Sequence, residues 1–173
     1  MVDAEISGFE LEATWVPTDS LIVDASFAWI DNDFTRIDPN ISPTFIQTSS
    51  VPEATPETKY NIGIQYGIPM ASGATLTPRV DVLWQDDVNG FNETRAIGFD
   101  QSRPIPIEDY TLVNARLNWL SPDGDWEVSA ALTNATDEEY FLSLFDLSSF
   151  GGWSGGMPGL PREWSLTLRR NFR

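Results

Sequence analysis

Apolar and polar residues alternate along most of the chain. Phe9, Leu11, Ala13 and Trp15 are separated by Glu10, Glu12 and Thr14. Val23, Ala25, Phe27 and Trp29 repeat the pattern, as do Tyr60, Ile62, Ile64 and Tyr66, then Leu76, Pro78, Val80, Val82 and Trp84. Val113, Ala115, Leu117 and Trp119 follow, then Trp126, Val128, Ala130 and Leu132, and finally Trp164, Leu166 and Leu168. A period of two puts successive side chains on opposite faces of a strand. The alternation predicts seven strands near residues 6–16, 20–36, 57–69, 74–90, 108–120, 125–142 and 160–172, and no helix.

The connections alternate as well. Those at residues 17–20, 70–74 and 121–125 are short, and those at 37–56, 91–107 and 143–159 are long. The prediction is an all-β, antiparallel up-and-down meander with one plain end and one elaborate end, as in outer-membrane barrels. With the short turns placed at the bottom, Trp15, Tyr66, Trp119, Trp126 and Phe172 form a lower aromatic ring. Trp29, Tyr60, Trp84 and Trp164 form an upper one. Between them the same face carries Ile, Leu, Val, Ala and Phe, so Ile62, Ile64, Val80, Val82, Leu117, Leu166 and Leu168 are expected to face lipid. Two aromatic girdles around an apolar band suit a bilayer. A soluble barrel with the rings turned inward has the same periodicity, because alternation does not say which face is wet. The opposite face, with Asn61, Gln65, Arg79, Asp81, Asn114, Arg116, Glu127 and Arg169, needs water or a polar plug.

Composition narrows the chemistry. The chain has 173 residues, 26 acidic and 10 basic, and a net charge of −16, which repels phosphate backbones and excludes nucleic acid as a partner. It contains no Cys and no His, which removes disulfides, thiol nucleophiles and His-dependent catalytic or metal sites. No cofactor, metal or enzymatic activity is expected. Gly152-Trp153-Ser154-Gly155-Gly156 matches the nucleophile-elbow pattern, but that motif needs a strand before, a helix after and a His base, so it reads as an external loop. Asp31, Asp33 and Asp38, or Asp123 and Asp125, could hold calcium, yet none has EF-hand spacing and they read as loop and turn acids. Glu138 and Glu139 are adjacent, so on a strand they point to opposite faces and cannot flank one bond. No apolar run is long enough for a transmembrane helix, and no basic-then-apolar leader is visible at the N-terminus.

Four segments, in order, resemble TonB-dependent outer-membrane receptors. They are Ser7-Gly8-Phe9-Glu10-Leu11-Glu12-Ala13 with residues 21–34, Tyr110-Thr111-Leu112-Val113-Asn114-Ala115-Arg116-Leu117, residues 126–132 with Asn134-Ala135-Thr136-Asp137-Glu138-Glu139-Tyr140, and Pro161-Arg162-Glu163-Trp164-Ser165-Leu166-Thr167-Leu168-Arg169. The resemblance implies that residues 1–173 are the C-terminal portion of a large transmembrane β-barrel, with the plug domain and earlier strands absent. It implies residence in the outer membrane of a Gram-negative bacterium and TonB-driven uptake of a scarce nutrient such as a ferric siderophore. The implied partners are the missing plug and barrel strands, the TonB complex acting through the absent N-terminal region, the lipid bilayer and the barrel assembly machinery. Phe172 takes the place of the family's closing aromatic assembly signal, although Arg173 follows it and Arg170 stands on the outward face where an aromatic is common. Arg95, Arg103, Phe145 and Trp153 in the long loops are candidate ligand-binding residues, since an aromatic beside an Arg suits an anionic, partly flat ligand; packing the loops together is their other use. A soluble secreted acidic β-domain binding ligand or calcium, and a passive porin-type channel segment, are the alternative readings. Asn134 to Thr136 breaks the outward parity, which predicts a bulge or the membrane rim there.

Overall fold

A computed structural model describes residues 2–38, 55–89, 91–92, 106–147 and 152–172 of the protein. The strands are β1 (Val2–Thr18), β2 (Leu21–Ile37), β3 (Thr58–Tyr66), β4 (Ile68–Pro69), β5 (Thr75–Gln85), β6 (Val88–Asn89), β7 (Phe91–Asn92), β8 (Pro106–Ile107), β9 (Tyr110–Leu120), β10 (Trp126–Thr133), β11 (Phe141–Leu147), β12 (Trp153–Pro158) and β13 (Glu163–Arg170). The main sheet has the order β1-β2-β3-β5-β9-β10-β13, with the short β4 on β5. Every pairing in it is antiparallel, as the alternating turns predict. The described residues contain no helix.

Cross-strand register gathers the predicted apolar residues on one face. Trp15, Val23, Ile64, Val80, Ala115, Leu132 and Trp164 form one continuous row across the seven strands. Trp15 lies near the turn end of β1, whereas Trp164 lies at the opposite end of β13. The row therefore climbs as it crosses the sheet, which is the stagger that tilts the strands of a barrel wall. Tyr60 stacks on Trp84 with ring centroids 5.3 Å apart, joining two members of the upper girdle.

Among the described residues nothing covers this face. Ile62, Ile64, Val80, Leu117, Leu166 and Leu168 are all exposed, and Val82 is half-exposed. The chain presents 11644 Å² of accessible surface, where about 8500 Å² is expected for a globular monomer of 19.3 kDa. The apolar side chains do not converge on a dry core, as the soluble reading requires. β1 and β13 stand at the two edges of the sheet and do not pair with each other.

Four boundaries differ from the sequence expectation. The strand predicted over 57–69 is interrupted at Gly67, which separates β3 from β4. The strand predicted over 74–90 stops at Gln85; Asp86 N donates to Thr58 O and Asp87 N to the Asp86 side chain, and β6 then pairs with β8 in a separate small sheet. The strand predicted over 125–142 stops at Thr133, where Asn134 and Asp137 adopt φ of 47° and 60°. The segment 143–159, read as a loop, instead contributes to the β-hairpin of β11 and β12, with Phe145 opposite Gly155 and Leu147 opposite Trp153. Ser154 of the elbow-like motif thus sits inside β12, and a strand rather than a helix surrounds it.

Candidate functional site

The polar face carries one tightly connected cluster. Gly63 of β3 lies between Asp24 of β2 and Asp81 of β5 in register, and its missing side chain leaves room above the sheet. Arg79 fills that room. Its Nη1 donates to Asp24 Oδ2 at 2.8 Å and its Nη2 to Asp81 Oδ1 at 2.6 Å, while Nε reaches both Asp81 oxygens at 3.0 Å. Thr14 Oγ1 donates to Asp24 Oδ1 at 3.0 Å, so the network spans β1 to β5. A Cβ on Gly63 would stand 2.3 Å from Arg79 Nη2 and 2.5 Å from Asp81 Oδ1. Gly63→Val should therefore displace the guanidinium and lower stability by about 1–3 kcal/mol, read from urea unfolding of the membrane-inserted protein. A variant as stable as the parent would show that this network does not hold the wall.

Further down the same face, Arg169 Nη1 donates to Glu127 Oε2 at 3.0 Å, and Ser129 Oγ donates to Asn118 Oδ1 at 2.5 Å. These pairs and the Arg79 cluster give the wall fixed polar partners that hold without a dry core. Among the described residues no group of three His, Cys, Asp or Glu is arranged to hold a metal ion. Asp123 of the calcium candidates instead shapes the turn at residues 121–125, where it accepts from Ser121 Oγ and from Asp125 N.

The elaborate end is organised by a corner after β10. Asn134 is buried, and its backbone N donates to Asn114 Oδ1 at 2.9 Å. Its Nδ2 donates to Glu138 O at 2.9 Å and Leu160 O at 3.1 Å, and its Oδ1 accepts from Glu138 N at 2.8 Å. Tyr140 lies against Gly159, where a Cβ would be 2.0 Å from the ring, and packs on Tyr110 with centroids 4.5 Å apart. The parity break at 134–136 is thus a hydrogen-bonded turn that ends the wall and starts the hairpin above it.

Two of the predicted ligand residues fall on that hairpin. Trp153 opens β12 and is exposed, and Phe145 is at a β11 position two residue pairs away along the ladder, though its side chain lies outside the described residues. β7 pairs in parallel with β11, matching Phe91 to Phe145, so parts of two long connections share one three-stranded sheet. Arg95 and Arg103 lie outside the described residues. Phe172 is exposed at the far end of the molecule, next to Arg170. Sequence reading missed the Arg79–Asp24 contact, because it joins residues on strands that are not adjacent in the chain.

Residues 2–135 match the family described as TonB dependent receptor-like, beta-barrel. No curated protein matches the chain in sequence. Among solved structures, the ferric yersiniabactin uptake receptor from Yersinia pestis superposes with a TM-score of 0.78 at 18% identity, over 99% of this chain and 24% of that one. The ferripyoverdine receptor of the outer membrane of Pseudomonas aeruginosa gives 0.73 at 18% identity, over 99% and 20%. The ferric-catecholate import receptor from K12 E. coli, in its closed form, gives 0.71 at 17% identity, over 99% and 21%. The chain therefore spans a fifth to a quarter of the length of these solved receptors.

Proposed function

The chain belongs to the TonB-dependent receptor β-barrel family, and on that premise we propose that it forms the closing wall of an outer-membrane importer driven through TonB, not of an enzyme. The observation that carries the reading is the single-layer sheet: among the described residues, one apolar face open along its length, one polar face tied by hydrogen bonds and ion pairs, and two edges that do not pair with each other. Unpaired strand edges are not tolerated in lipid, so further strands are needed to join β13 to β1. The bonded polar face suits the lumen of a plugged barrel, where a plug can shift without leaving buried groups unpaired. The proposed setting is the outer membrane of a Gram-negative bacterium, with plug, remaining strands, TonB and the barrel assembly machinery as partners. A ferric siderophore is the proposed cargo, supported by the three receptors above, each of which is described as a receptor for a ferric complex.

In this reading β11 and β12, at the elaborate end, contribute to ligand capture through Phe145 and Trp153, with Arg95 and Arg103 from the neighbouring connection. Phe172 is the proposed assembly signal. The test is uptake of radioactive iron, presented as a panel of ferric siderophores, by cells whose only such receptor is the complete protein. Uptake that requires TonB and one member of the panel is expected; uptake indifferent to TonB would support a passive channel instead. Replacing residues 143–157 by a short polar linker should reduce ligand binding at least tenfold while leaving the barrel assembled, because β11 and β12 belong to a small sheet separate from the seven-stranded wall. Removing Phe172 should do the reverse, lowering the amount of assembled receptor. Loss of assembly from the first change and none from the second would overturn this division of labour.

A further inference from the structure

The outer face carries a cation at the level of the lower aromatic girdle. Arg170 of β13 is opposite Trp126 of β10 in register, on the same face as Leu168 and Val128. Its guanidinium carbon lies 4.9 Å from the centre of the Trp126 ring and 4.8 Å from that of Phe172. Both rings lie against the guanidinium, and no hydrogen bond to a described residue takes up its N–H donors, which suit a planar, bidentate acceptor. Among the described residues Arg170 makes no ion pair, in contrast with Arg79, Arg162 and Arg169. Arg36 and Arg116 make none either, so what sets Arg170 apart is the pair of aromatic rings against it on the outer face.

A second feature lies directly above it. A groove of about 630 Å³ runs over Ala115, Leu117, Ala130, Trp164 and Leu166. Leu117, Ala130 and Leu166 form one row of the apolar face, and the small Ala130 side chain makes the depression between the two leucines. From Arg170 to Leu166 is four residues, about 13 Å along a strand, well within the reach of a phospholipid acyl chain. The headgroup cradle and the acyl groove thus share β10 and β13.

We propose that this is a phospholipid site, with the headgroup phosphate on Arg170 between Trp126 and Phe172 and an acyl chain in the groove over Ala130. The site rests on the membrane-wall reading above. It takes a lipid of the leaflet on the short-turn side, and an anionic one in preference, because no ion pair with a described residue neutralises Arg170.

The complete receptor is reconstituted in phosphatidylcholine nanodiscs containing phosphatidylglycerol, and the lipids it retains after detergent extraction are quantified. The wild type is expected to enrich phosphatidylglycerol, and Arg170→Gln to lower the retained ratio of phosphatidylglycerol to phosphatidylcholine about fivefold. Ala130→Phe fills the groove with a lipid-compatible side chain, and should lower retention of both lipids with assembly unchanged. Equal ratios in wild type and a correctly assembled Arg170→Gln overturn the proposal. Should Arg170→Gln not assemble, Ala130→Phe decides it, and unchanged retention there overturns it equally. Displacement of the lipid by inorganic phosphate alone would make this a free-anion site and overturn the lipid assignment. A receptor that fails to insert at all removes both the site and the membrane reading, whereas insertion without lipid selectivity removes only the site.

Discussion

Ile62→Arg is expected to cost the assembled barrel about 2–4 kcal/mol, whereas Asn61→Arg, one residue away, should change stability by less than about 1 kcal/mol. The two positions are neighbours on β3 and differ only in the face they occupy. Ile62 sits in register between Ala25 and Val82, inside the band bounded by the girdle residues Tyr60 and Tyr66, and is exposed on a face where both cross-strand neighbours are apolar. An arginine there starts inside the hydrocarbon band, about 7 Å along the strand from Tyr60, and must desolvate or bend its side chain toward the girdle. Asn61 pairs with Ser26 and Leu83, on the face that also carries Glu12, Asp24 and Arg79, where a further guanidinium meets polar groups. Urea unfolding in phospholipid vesicles measures the difference, and heat-dependent electrophoretic mobility reports whether each variant has closed. Similar costs at the two positions would remove the assignment of faces, and with it the membrane wall. Destabilisation by Asn61→Arg alone would turn the sheet inside out.

The same contrast explains what the sequence makes legible. A wall one layer thick meets two unlike solvents along its whole length, so every strand of it carries the same period of two, and all seven appear as alternation in the chain. Their pairing order follows from connection length alone, because short turns force neighbours to be antiparallel. Above the rim that constraint vanishes. β11 reads Phe-Leu-Ser-Leu-Phe-Asp-Leu and β12 reads Trp-Ser-Gly-Gly-Met-Pro, sequences with no alternation that separates a lipid face from a lumen face. Their pairing is set by the Asn134 corner and by the close approach of Gly159 to Tyr140, neither of which has a periodic signature. The Asp24–Arg79 contact was hidden for another reason. It depends on the register of β2, β3 and β5 together, and on an unoccupied space at Gly63 that shows only once the strands are side by side. Arg170 stood out in the sequence as a misfit in the outward pattern; the structure adds the two rings that hold it.

Asn134→Ala should cost about 3–4 kcal/mol, the largest expected effect of any polar substitution outside the apolar band. The side chain satisfies two carbonyls, those of Glu138 and Leu160, and one backbone N–H, that of Glu138, from a buried position. Alanine leaves all three without that partner. It also has to adopt a φ of 47°, where asparagine is tolerated and alanine is strained. The two contributions separate experimentally. Asn134→Gly removes the same hydrogen bonds but accepts the backbone, so it should be more stable than Asn134→Ala by about 1 kcal/mol. Asn134→Asp keeps an acceptor for Glu138 N but turns a carboxylate oxygen toward the Glu138 and Leu160 carbonyls in a buried site, which places it below glycine. Because Leu160 leads into β13 and Glu138 leads into β11, losing these bonds loosens the hairpin from the wall before it unfolds the wall itself. Limited proteolysis should therefore cut Asn134→Ala between residues 138 and 160 at denaturant concentrations where the strands remain protected. If the three variants prove equally stable, or if the wall and the hairpin are lost together at one denaturant concentration, the corner is not the joint that couples the hairpin to the barrel.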